Sequence, residues 1–111
     1  MKKIIILIPV FNDWESLIKL INEINESIKD YKSIYFECLV INDASTKNQP
    51  ELIKPNNIKS LQILNMKKNK GHARCNAFGI RHVYKNKEFD NLILMDGDGE
   101  DRPVEIKNLV K

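Results

Sequence analysis

Asp96, Asp98, Glu100 and Asp101 crowd four carboxylates into six residues, directly after the apolar run Leu92-Ile93-Leu94-Met95. Gly97 and Gly99 lie among them and let the backbone turn sharply. Like charges this close repel one another unless a cation, an arginine or open water relieves them. Asp96 and Asp98 are two apart, so in an extended segment their side chains leave the same face. At the C-terminal end of a strand such a pair can hold a hard divalent cation, which takes oxygen ligands and often bridges to substrate phosphates. The competing account is a solvated acidic turn. Three more polar clusters stand out: Pro9-Val10-Phe11-Asn12-Asp13, Asn42-Asp43-Ala44-Ser45, and the stretch 65–71.

The elements that must position these clusters are legible as alternating patterns. Residues 4–8 form a β-branched run without polar alternation, which predicts a strand covered on both faces. Asp13 opens a helix whose apolar positions Trp14, Leu17, Ile18, Ile21, Ile24 and Ile28 keep helical spacing. Residues 35–41, 59–64 and 89–95 read as further strands. Residues 73–84 read as a second helix with Ala77, Ile80 and Tyr84 on one stripe, and Pro103 is placed to open a last short helix. Residues 48–57 form a polar loop around Pro50 and Pro55. This strand–helix alternation predicts an α/β fold, a mainly parallel sheet with helices on both faces. Ligands of such sheets sit at the C-terminal ends of the strands. All four polar clusters fall at those ends, whereas structural accident would scatter them over both.

The length of 111 residues fits a single domain spanning 1–111, and 42% hydrophobic with 30% charged residues is enough for a core. A net charge of +3 is too small to argue for nucleic-acid binding, so no nucleic-acid partner is expected. Lys67, Lys68, Lys70 and Arg74 nevertheless gather locally and leave room for an anionic ligand. Cys38 and Cys75 show no metal-ligand spacing and read as free thiols of a reducing compartment. The N-terminal apolar run is five residues long before Pro9 and lacks a cleavage site, so it reads as a buried strand rather than an export signal. No segment approaches the roughly 20 apolar residues of a membrane span. The expectation is a soluble, cytoplasmic domain.

Several chemistries fail on spacing. A dinucleotide-binding turn or a P-loop needs glycines after the first strand, where this chain reads Pro9-Val10-Phe11-Asn12-Asp13-Trp14. An EF-hand begun at Asp96 would put Asp101 at the turning glycine and Lys107 at the glutamate. A phosphate-accepting receiver domain shares the length and alternation, but Asp13 alone does not supply its acidic pair. No Ser-His-Asp or Cys-His arrangement is present.

Taken together, the clusters resemble the N-terminal half of a family 2 inverting glycosyltransferase of the GT-A fold, the family that includes dolichyl-phosphate mannosyltransferase-like enzymes. Ile8-Pro9-Val10-Phe11-Asn12 is similar to its opening I-P-x-[YF]-N, and Val40-Ile41-Asn42-Asp43-Ala44-Ser45-Thr46 to its V-[IV]-[DN]-D-[GA]-S-[TD]. Asn69-Lys70-Gly71-His72-Ala73-Arg74 resembles the N-x-G-H-x-R of one branch, and Asp96-Gly97-Asp98 its D-x-D element. Each motif alone is weak; four in order over nearly the whole chain are specific. The chain departs from the family at Asn42, where many members have aspartate, at Ala44, where glycine is commoner, and at Glu100-Asp101-Arg102-Pro103, which follows the G-E-D-R-P branch.

The resemblance implies a nucleotide-diphosphate sugar donor and a divalent cation, Mg2+ or Mn2+. It implies Asp98 as metal ligand, with Asp96 beside the metal at the ribose or donor sugar, and Glu100 or Asp101 helping through water. Pro9, Phe11 and Asp13 would line the nucleoside pocket, although Phe11 could equally close the sheet edge. Asp43 would hydrogen-bond base or ribose, with turn formation as the alternative, while Asn42 could supply an amide to the base. Gly71 would permit close backbone approach, or only relax a turn. Arg74 would reach a phosphate or hold the acidic loop, a solvated helix arginine being the other account. His72 reads as a capping or packing histidine, and Arg102 as a local partner of Glu100 or Asp101. The implied reaction is a single displacement with inversion, whose general base and acceptor site lie downstream of the D-x-D and beyond Lys111. The acceptor, lipid phosphate or polysaccharide, stays open, and membrane association would require further sequence. A non-catalytic nucleotide- or metal-binding domain and a receiver-like signalling domain are the alternatives.

Overall fold

Lys2–Val10 forms strand β1, Trp14–Ser27 helix α1, Ile34–Asn42 strand β2, Ser60–Asn65 strand β3, His72–Asn86 helix α2 and Asn91–Leu94 strand β4. The computed structural model describes residues 2–96; the expected helix at Pro103 lies outside them. The strands form one sheet in the order β3-β2-β1-β4, every pairing parallel.

β1 sits second from the β4 edge, and Ile4 to Ile8 are wholly buried because each face carries a helix. The two-residue period of a strand divides its side chains. Ile4, Ile6, Ile8 and Val10 join Trp14, Leu17, Leu20, Ile21 and Ile24 of α1, while Ile5 and Leu7 join Cys75 and Val83 of α2. Each fully buried aliphatic side chain contributes about 1.5–3 kcal/mol, so the unbroken isoleucine run is what a two-sided central strand requires. Ile18 lies at the edge of the α1 stripe and stays partly exposed.

α2 differs from its expected stripe. Ala77 and Tyr84 face solvent, and the buried line is Cys75, Gly79 and Val83. The physical reason is close approach: a Cβ on Gly79 would stand 2.6 Å from Leu7 Cδ1. A small-residue seam, not the largest side chains, therefore faces the sheet. Where α2 ends, Lys87 reaches the buried Glu37 of β2 at 2.7 Å, and Lys3 of β1 approaches the same carboxylate at 3.6 Å. A charge in that position needs such partners to offset its desolvation.

The strand order also decides between two sequence readings. The chain steps outward from β1 to β2 to β3, then returns through α2 to the far side of β1. Receiver-like sheets place their third strand on the other side of the first; here β3 lies outside β2, and the receiver-like expectation is corrected. The direction of winding reverses between β1 and β4, the kind of switch point at whose C-terminal ends ligands of open α/β sheets bind. Among the described residues no helix is long and apolar enough to cross a membrane.

Candidate functional site

Strand β2 ends in a polar weld. Asp43 is fully buried, its N–H donates to Val10 of β1 at 2.8 Å, and its carboxylate accepts from the backbone N–H groups of Lys70 at 2.7 Å and Gly71 at 2.8 Å. It thus fixes the loop that leads into α2. Cys75, one turn into α2, lies under the same carboxylate. Burial raises its thiol to about 12, and the hydrogen bond that its S–H donates to the Asp43 carboxylate, together with that carboxylate's charge, pushes the same way. Asn42 donates to Asn65 Oδ1 at 2.9 Å and accepts from Ser45 N at 3.0 Å, so both ends of its amide serve the loops.

At the end of β1 the ladder to β4 stops for a covalent reason. Met95 N donates to Leu7 O, and the next bond of that parallel ladder would start from residue 9, a proline without an N–H. Pro9 instead continues the pairing with β2, opposite Ile41. Phe11 is exposed by 39%. Asn12 adopts a left-handed φ of 63°, and its Oδ1 accepts from Thr46 N at 2.7 Å and Lys47 N at 2.8 Å. Its Nδ2 donates to Thr46 Oγ1, and its backbone N–H to Ser45 Oγ. Asn12 was not singled out from sequence as a site residue; an asparagine directly after a strand, tolerant of positive φ, was the available signal. Asp13 occupies the N-cap of α1 without a side-chain capping bond and remains exposed.

The end of β4 is open by contrast. The side chain of Asp96 is 41% exposed, and His72 Nδ1 of α2 approaches its Oδ1 at 3.9 Å, an ion pair only when the imidazole is protonated. Gly71 at the α2 N-cap has φ 85°, and a Cβ there would meet nothing within 4 Å. Arg74 turns elsewhere: it lines a groove with Lys70, Phe78 and Arg81. Helical geometry explains this, since positions 72 and 74 differ by about 200° around the axis, so one cannot face Asp96 when the other does. Asp98, Glu100, Asp101 and Arg102 lie outside the described residues.

The model of the glycosyl transferase family 2 matches residues 5–111 of this chain. The chain belongs to that family. It is also 24% identical, over 110 residues and 96% of its length, to uncharacterized protein MJ0544 of Methanocaldococcus jannaschii, and it spans 45% of that relative. The family 2 sheet is an α/β, Rossmann-like sheet of GT-A character. Family 2 enzymes take a nucleotide-sugar donor and an acceptor and generally use a divalent cation.

The chemistry present in this family 2 domain suits such a cation. Carboxylate oxygen is the ligand type Mg2+ and Mn2+ prefer, and Mg2+ is commonly held by one or two carboxylates plus substrate phosphates. Among the described residues no three His, Cys, Asp or Glu side chains gather as a self-sufficient cage. Asp96 is a partly exposed carboxylate at the end of β4, and a Cβ on Gly71 would meet nothing within 4 Å.

Proposed function

We propose that this domain binds a nucleotide-diphosphate sugar in the crevice between the ends of β1 and β4 and serves metal-assisted sugar transfer with inversion. The observation that supports it most is the reversal of winding between β1 and β4, because ligands of such sheets bind where the winding reverses, beyond the strand ends that carry Pro9, Phe11 and Asp96. Pro9, Phe11 and Asp13 line the nucleoside side of the donor. Asp96 and Asp98 would hold the cation. Gly71 lets the loop backbone approach the donor. Asp43 acts through that loop, as a positioning residue rather than a contact to the base.

A bound Mg2+ or Mn2+ would stabilise, as a Lewis acid, the charge that develops on the departing diphosphate. The side chains around it orient the donor so that the acceptor oxygen attacks the anomeric carbon opposite the breaking bond to the diphosphate. The general base for that attack belongs to sequence beyond Lys111, in keeping with a chain that spans 45% of its archaeal relative. Within the family the motif pattern favours the dolichyl-phosphate mannosyltransferase-like members, with a lipid-phosphate or polysaccharide acceptor at the cytoplasmic side.

Calorimetry with a panel of nucleoside diphosphate sugars, with and without MnCl2, tests the reading. Binding should require the metal and weaken about tenfold or more in Asp96→Asn. Absence of binding by every donor in the presence of metal would refute it. Steady sugar transfer by residues 1–111 alone would refute the placement of the general base.

A further inference from the structure

Helix α2 carries a second polar cluster on the flank opposite His72 and Asp96. There Lys70, Arg74 and Arg81 line one groove of about 290 Å³ together with Met66, Ala77 and Phe78. None of these three cationic side chains forms an ion pair among the described residues. Arg74 and Arg81 are seven residues apart, two helical turns and about 10 Å along the same face. Phe78 lies between them, packed below against the α2-side core with Leu64 and Met66 and stacked on His82 at 6.4 Å and 21°. Lys67 and Lys68 add charge at the mouth of the same loop.

Three cations around one concavity, with no ion pair among the described residues, repel one another and raise the energy of the folded chain. An anion relieves that repulsion, and guanidinium groups favour phosphate because their planar forks donate two parallel hydrogen bonds. The floor between the charges is apolar and aromatic, so a bare ion would leave it uncovered. The volume stands at the small end of the range of ligand pockets, about 300–1,000 Å³, which suits a small organic molecule or one lipid headgroup.

We propose that this groove is a binding site for an organic phosphate monoester, distinct from the donor crevice. Lys70, Arg74 and Arg81 hold the phosphate oxygens, and the organic part lies on Phe78 and Met66. The site stands on the far side of α2 from Asp96 and does not depend on the donor reading.

Calorimetry with phenyl phosphate and with inorganic phosphate, and co-sedimentation with phosphatidylcholine vesicles containing or lacking phosphatidic acid, test this. Phenyl phosphate should bind about fivefold or more tightly than inorganic phosphate. Arg81→Gln, at an exposed residue with no ion-pair partner among the described residues, should weaken binding about fivefold to tenfold, whereas Asp96→Asn should leave it unchanged. Binding to phosphatidic acid vesicles alone, lost in Arg81→Gln, assigns the same site to a lipid headgroup; binding of phenyl phosphate alone assigns it to a soluble ester. Failure of both ligands, indifference to Arg81→Gln, or loss of binding in Asp96→Asn would each overturn the proposal, the last by placing the anion in the donor crevice.

Discussion

At the end of β2, Asp43 is fully buried and spends both carboxylate oxygens on the backbone of Lys70 and Gly71. Asp96, two strands away at the end of β4, keeps much of its carboxylate in solvent with an imidazole 3.9 Å off. Both are aspartates at C-terminal strand ends, and both fall in motifs of the same family. The difference between them is accessibility. One carboxylate welds two loops to a helix start from within the fold, and the other stands partly in solvent at the end of its strand. Residue type and position in a motif therefore do not fix how a carboxylate is used; the two differ in burial.

The sharpest way to break this comparison is to truncate both residues. Asp43→Ala removes two charge-assisted bonds and leaves two N–H groups unpaired, which should cost about 3–5 kcal/mol. Asp96→Asn should change stability by no more than about 0.5 kcal/mol. Urea unfolding midpoints of the two variants measure this directly. Equal losses would erase the distinction between weld and open site.

A smaller effect is expected at Asn12, which ties the β1 loop to the β2 loop through Thr46 and Lys47. Asn12→Ala should destabilise by about 1–2 kcal/mol, because these bonds are more exposed than those of Asp43. Its midpoint in urea should fall between those of Asp96→Asn and Asp43→Ala.

The gentlest probe is the pair of buried thiols, Cys38 and Cys75. Burial raises both to about 12 in the folded protein, against about 8.5 for an unfolded cysteine. The unfolded chain thus releases these protons first, so their contribution to stability is complete below about pH 8.5 and is lost as the pH climbs toward 12. Cys75 also reports on the weld, since it lies beneath Asp43. At pH 8 a thiol reagent should modify it no faster than global unfolding allows, and faster labelling would reveal a weld that opens locally.

Much of the architecture was legible from β1 and α1. Residues 4–8 announce a two-sided strand because only burial on both faces tolerates five successive apolar side chains, and the α1 stripe follows because large residues recur at helical spacing. α2 was harder to read. Its contact with the sheet uses Cys75 and Gly79, and of the apolar stripe Ala77, Ile80 and Tyr84 only Ile80 packs against that core, while Ala77 and Tyr84 face water. The candidate site divides the same way. Pro9, Phe11, Gly71 and Asp96 lie at or just beyond element ends on the C-terminal side of the sheet, whereas Arg74 lines a groove on the other flank of α2 and Asp43 turns inward.

The sequence by itself determined the α/β alternation, the strand ends at which polar residues collect, and the family to which the chain belongs, because periodicity and motif order are properties of the chain. Tertiary structure alone decided the strand order, the switch point between β1 and β4, and which of two similar aspartates is fully buried. Those depend on how residues distant along the chain share or exclude water, and local patterns do not record that.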